Sequence, residues 1–242
     1  MNELVVVGLI ALVAFAYSMV GHGGASGYLA LMGLLAFEPE VMKPTALCLN
    51  LCVSAIATVQ FMRAGHFQWR SFWPFAALSI PMSFIGYGVE LDPLVYMRVL
   101  AVCLLFAVAR LLGLFGQGAA TPRPVPIAIG MLVGAVLGLL SGMLGIGGGI
   151  LLSPLMLLCG WGDAKRVAAI SAPFILVNST SGLLRASQHP FTPPSHMWWW
   201  LAVAIVAGLL GSWVGATRLI EVRLRQALGV VLLFASIKLF WP

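Results

Sequence analysis

Charge is what this chain has least of. Only 8% of its 242 residues are charged, seven of them acids and thirteen Lys or Arg. Hydrophobic residues make up 61%, and the mean hydropathy is +1.04. A soluble domain has no interior large enough for that much apolar surface, so the composition indicates a polytopic helical membrane protein. Cysteine is scarce too. Four cysteines in apolar settings exclude a disulfide framework. Cys48 and Cys52, four apart on one helix, read as small packing residues rather than metal ligands. There is no H-E-x-x-H motif and no embedded pair of aspartates, and no embedded Ser–His pair is expected, which argues against an intramembrane enzyme. No strand precedes a glycine cluster, so a dinucleotide fingerprint is excluded. No cofactor and no metal is expected. Basic residues are missing at the N-terminus, where Asn2 and Glu3 precede an apolar run. That pattern predicts an uncleaved first segment rather than a signal peptide. The net charge of +6 reads as cytoplasmic loop charge, and no nucleic-acid partner is expected.

What the chain has instead is long apolar runs. They fall near 4–20, 25–37, 44–62, 71–89, 95–115, 126–144, 149–160, 167–185, 197–217 and 224–241. The Gly- and Pro-rich stretch "GQGAATPRPVP" divides them into two sets of five. The expected units are a first transmembrane repeat over 1–115, a linker over 116–125 and a second repeat over 126–242. The sets resemble each other. Gly21, Gly23 and Gly24 match Gly145, Gly147 and Gly148 at a spacing of 124. "EVMKPTAL" resembles "DAKRVAAI", and "LLFAVARLL" matches "LLFASIKLF". Duplicated halves are common in secondary transporters.

Charge tests the orientation of the halves. If the first two segments of each half go in and come back, one face collects nine Lys or Arg and the other keeps four. If each pair is one interrupted span, the counts are six and seven and the bias disappears. The first arrangement satisfies the positive-inside rule. It predicts inverted repeats with both termini facing outward. A stretch of 33 residues, about 50 Å as helix, is also too long for one crossing of a ~30 Å core.

Both glycine clusters, "VGHGGASG" and "GMLGIGGG", interrupt apolar runs. The segment after each is shorter than the hydrocarbon thickness, which predicts Gly-broken turns in the membrane interior. A helix that starts there presents free N–H groups and a partial positive charge. Two such starts brought together form an anion site without a basic side chain. The candidate substrate-binding residues are Gly21, His22, Gly23, Gly24, Ala25, Ser26, Asn50, Gly145, Gly147, Gly148, Gly149 and Asn178. Gly130, Gly134, Gly138 and Gly142, and likewise Gly211 and Gly215, recur every four residues and read as helix-packing faces.

Asn50, Ser54 and Thr58 share one helical face, and Ser171, Asn178, Ser181 and Arg185 share another. Such residues either tie helices together or hold a polar substrate. Ser141 and Ser153 flank the second turn, and Ser26 follows the first. His22 is the one titratable side chain at a break, and Ile146 stands at the matching place. Proton coupling and a local hydrogen-bonded role both remain open for it. All seven acids fall at segment ends. His66, His189, His196 and the Trp198–Trp200 run also lie near segment ends and read as interfacial.

Gly145-Ile146-Gly147-Gly148-Gly149 with Pro154 beyond it, the duplicated halves and the length resemble the sulfite exporter TauE/SafE family of bacterial inner-membrane permeases. The resemblance covers essentially the whole chain. The first cluster is a variant, with His22, Ala25 and Ala30 where the second has Ile146, Gly149 and Pro154. The resemblance implies transport of sulfite, sulfonates, sulfoacetate or thiosulfate, where the residues alone reach a small anion. The leading reading is a secondary transporter working by alternating access in the inner membrane, and not an enzyme. A passive small-anion channel is the alternative. The expected partners are a small anionic substrate, the lipid bilayer and a second copy of the chain in a homodimer.

Overall fold

The structure is a computed structural model. It describes residues 3–114, 122–188 and 191–217, together with 233, 236, 237 and 239. Described residues form nine helices and no strand: α1 (Glu3–Ser18), α2 (Ala25–Leu34), α3 (Pro39–Arg63), α4 (Trp69–Tyr87), α5 (Pro93–Leu111), α6 (Ile127–Leu144), α7 (Gly149–Leu158), α8 (Ala164–Ala186) and α9 (Met197–Thr217). Most of the linker and most of the tenth expected segment lie outside the described residues. Helices α3, α5, α6, α8 and α9 are long and apolar enough to cross a membrane. The protein is a multi-pass, all-α membrane protein.

The scarce acids mark helix starts. Asp92 accepts from Leu94 N at 2.9 Å and from Val95 N at 3.4 Å, capping α5, with Pro93 in the first turn. Asp163 accepts from Lys165 N and Arg166 N, both at 2.9 Å, and caps α8. A carboxylate at a helix start satisfies orphan N–H groups and complements the helix dipole. This is why Asp92 and Asp163 lie at segment ends.

α2 and α7 are each ten residues long, about 15 Å, half of a ~30 Å hydrocarbon core. Each folds back along the helix before it. Val6 and Ile10 of α1 share a cavity wall with Tyr28, Leu31 and Met32 of α2, and with Leu35 just beyond it. Gly27 of α2 lies against Val13 and Tyr17. In the second pair Gly148 lies against Leu137 and Ser141 of α6, and Arg123 N donates to Gly160 O at 2.9 Å. The pairs are hairpins, not interrupted spans. The first opens at the end of the bundle where Glu3 meets His196 at 2.8 Å and where Gly88 and Ala186 share a cavity with Pro39. The second opens at the other end, among Phe72, Val125 and Trp161.

α3 and α8 pack on each other at the centre, and α8 is the most buried of the five long spans. α9 covers α3 and α1, while α4 covers α8 and α6. The glycine stripes form these seams. A Cβ on Gly134, Gly138 or Gly142 would overlap the carbonyl oxygens of Phe75, Ser79 or Ser83 on α4. One on Gly211 or Gly215 would overlap those of Phe15 on α1 or Met19 just beyond it. Such close backbone approach is the small-residue packing expected in lipid, where dispersion replaces hydrophobic drive.

Gly138→Ala is therefore expected to push α4 and α6 apart and to lower the melting temperature of the detergent-solubilised protein, by overpacking worth about 1–3 kcal/mol. Gly8→Ala, with nothing within 4 Å of the new methyl, should leave melting unchanged or raise it. Equal melting of the two variants would contradict the seam.

Candidate functional site

The tips of the two hairpins meet inside the bundle. The first tip runs from Met19 to Gly24. Gly24, the residue capping α2, has φ 93°. Gly148, capping α7, has φ 74°. Both need the left-handed conformation that side chains disfavour, so a turn that delivers a helix start here requires glycine. Gly145, at the end of α6, and Gly21 and Gly147 are also left-handed. Space adds a second restriction. A Cβ on Gly21 would overlap the Ala168 backbone, one on Gly23 would overlap Asn50 Oδ1, and one on Gly147 would overlap Asn50 Nδ2.

His22 and Asn50 join the tips to each other and to α8. His22 is buried. Its Nδ1 lies 2.9 Å from Val20 O, and its Nε2 lies 3.1 Å from Gly149 O and 3.0 Å from Ser153 Oγ. Ser153 Oγ is in turn 2.8 Å from Ser171 Oγ on α8. The ring faces a carbonyl on each side and one hydroxyl, which permits two hydrogen-bond patterns. As neutral imidazole, Nδ1–H donates to Val20 O and the Ser153 hydroxyl donates to Nε2. As imidazolium, both ring N–H groups donate to carbonyls and the Ser153 hydroxyl turns elsewhere, to Gly149 O at 3.0 Å or to Ser171. Asn50 Oδ1 accepts from Ala25 N at 3.2 Å, and its Nδ2 donates to Ser179 Oγ at 3.0 Å. The amide thus caps α2 from α3 and reaches α8.

The orphan N–H groups of the two helix starts are only partly used. Ala25 N is taken by Asn50. Leu151 N and Leu152 N both donate to Gly148 O at 3.1 Å. Ser26 N, Gly27 N, Gly149 N and Ile150 N have no acceptor among the described residues. The space between the tips, lined by His22 to Ser26 and Asn50 on one side and by Ile146, Ile150 and Ile175 on the other, is too narrow to admit a water molecule.

Eleven of the twelve candidate residues thus surround the two tips. Asn178 is placed differently. Its Nδ2 donates to Phe174 O at 2.8 Å, and its backbone oxygen accepts from Ser83 Oγ of α4 at 3.0 Å. The α8 side chains against the second tip are Phe174, Ile175 and Ser179. One residue the sequence reading did not single out is Tyr17, whose phenol accepts from Ser26 Oγ at 3.1 Å. Ser153, noted only as flanking the turn, proves to be the bridge from His22 to α8, and with His22 it forms the embedded Ser–His pair that the sequence reading did not expect, because the two residues come from different halves of the chain. A tyrosine one turn before Gly21 in an otherwise apolar helix was the available signal.

Two half-length helices starting at facing glycine turns inside a bundle are an arrangement found in secondary transporters. The sulfite exporter TauE/SafE family matches residues 5–239. A probable membrane transporter protein, y4hK, of Sinorhizobium fredii (strain NBRC 101917 / NGR234) is 39% identical over 233 residues, covering 95% of this chain and 94% of the relative. No solved structure matches the chain significantly. The chain belongs to the TauE/SafE family of membrane transporters.

Asn50→Leu removes the acceptor that caps Ala25 N and the link to Ser179. The expected outcome is a melting temperature lowered by an amount matching about 1–3 kcal/mol, the penalty for stranding a buried N–H. Unchanged melting would show that the amide caps nothing of consequence.

Proposed function

We propose that this protein is a secondary transporter of a small sulfur-containing anion: sulfite, a sulfonate, sulfoacetate or thiosulfate. It works by alternating access in the inner membrane. The observation that carries the reading is the pair of helix starts, α2 and α7, facing one another with N–H groups at Ser26, Gly27, Gly149 and Ile150 left without acceptors. N–H groups and dipole ends of this kind hold an oxyanion without a fixed cation. Binding without full charge neutralisation lets the anion leave again. Family membership supports the sulfur chemistry.

The two halves are read as inverted repeats, 1–115 and 126–242, joined by 116–125. Support comes from hairpins that open at opposite ends and from the crosswise packing of α9 on α1 and α4 on α6. Two tips that touch through His22 and Gly149 can part toward either end as one half rocks against the other. The narrow space between them favours a carrier over a standing pore.

Purified protein in liposomes tests the function. Unlabelled sulfite trapped inside should accelerate entry of labelled sulfite. Entry at the same rate with and without trapped sulfite would indicate a channel, and no entry of any of the four anions would reject the reading. For His22, the two hydrogen-bond patterns around one ring suggest proton coupling. His22→Gln, which keeps a polar side chain but cannot titrate, should flatten the pH dependence of uptake. A profile identical to the wild type would remove coupling from His22.

Orientation is checked by labelling. With native cysteines replaced, Glu90→Cys at the end where the first hairpin opens should react with an impermeant maleimide from outside the cell. Gln68→Cys should react only after permeabilisation. The reverse pattern would overturn the outward-facing termini.

A further inference from the structure

Tyr28 is buried, with 1% of its surface exposed, and its phenol oxygen has no hydrogen-bond partner among the described residues. Native structures seldom leave a buried donor empty, because the group loses its water and gains nothing. Several other buried tyrosine and serine hydroxyls have partners. Tyr17 is bonded to Ser26, Ser153 to Ser171, and Tyr96 donates to Leu144 O at 3.0 Å. Thr45, Thr58 and Ser141 also have unpartnered hydroxyls. Each of those sits within a helix, where a rotation of χ1 brings it to its own backbone carbonyl one turn back. A phenol has no such escape, since its rigid ring holds the oxygen far from its own backbone.

The place of that oxygen is specific. It stands 2.9 Å from where a Cβ on Gly24 would be. Gly24 is the residue that caps α2, and its backbone lines the space between the tips. The side chain therefore points back along α2 to the helix start, where Ser26 N and Gly27 N also lack acceptors. The position 124 residues on is Leu152, so the second half has no equivalent donor.

We propose that the Tyr28 phenol is a substrate ligand, donating its O–H to an oxygen of the anion held at the start of α2. The assignment rests on the anion-site reading above. It adds a directed donor to the N–H groups of the first tip, and makes that tip the stronger of the two half-sites. A neutral donor strengthens binding without adding a fixed positive charge. The tip glycine then has a further role, because a side chain on Gly24 would fill the space beside the phenol.

The test is Tyr28→Phe in the full chain, which deletes one oxygen. Sodium sulfite is titrated calorimetrically into wild type and variant, and both are melted without ligand. The expected result is affinity weakened roughly 10- to 100-fold, as for loss of a hydrogen bond to a charged group. Ligand-free melting should stay equal or rise, because an unpartnered buried hydroxyl has been removed. Tyr17→Phe, which deletes an oxygen bonded to Ser26, should instead lower the ligand-free melting temperature. Equal sulfite affinity in wild type and Tyr28→Phe overturns the assignment of Tyr28 and leaves the anion site standing. Failure of the wild type to bind sulfite overturns the site and this ligand together.

Discussion

A helix that ends halfway through a bilayer leaves backbone N–H and C=O groups where water cannot reach them. The rest of this structure depends on how those ends are kept out of lipid. Irregular backbone at that depth is tolerated only inside protein, and here α3 and α8 supply the walls. The carbonyl end of α6 is served by Tyr96, which donates to Leu144 O. The N–H end of α2 is served in part by Asn50. What remains unserved is concentrated at the two helix starts.

The same requirement explains why glycine does two separate jobs. Along α6 and α9 it lets neighbouring backbones touch, which gives the long helices their packing in a solvent as apolar as their side chains. At the tips it supplies left-handed turns and leaves room for Asn50 and Tyr28. The helix lengths on either side agree with this division. The seam glycines sit in helices of 18 and 21 residues, while the tip glycines begin helices of ten.

The two tips share a frame but not a chemistry. The first carries His22, Ser26 and Tyr28. The second carries Ile146, Ile150 and Leu152, and relies on Ser153 and α8 for its polar contacts. The contact that Asn50 makes with Gly23 is made at Gly147 partly by Ile175. Polar reach therefore comes from the first half and is received by the second. His22 is the bond between the two tips.

Membrane class, the glycine breaks and the helices that flank them were legible in the sequence, because each rests on a local property. Hydropathy marks spans, glycine in an apolar run marks a break, and an acid before a helix marks its start. Charge counting also favoured hairpins over interrupted spans, and the return of α2 along α1 agrees. Partnership across the bundle was not legible. Asn178, like Asn50, was a candidate for holding the substrate, since both are amides in long apolar segments. Helix rotation instead turns Ile175 and Ser179 to the second tip and directs Asn178 toward its own helix and α4. A shift of one to three residues along a helix moves a side chain by 100° to 300°, and only packing against neighbours fixes that angle. The bridge from His22 to Ser153, the cap on Ala25 and the empty phenol of Tyr28 are all set by that rotation. They join residues up to 131 positions apart, and the tertiary fold alone decided them.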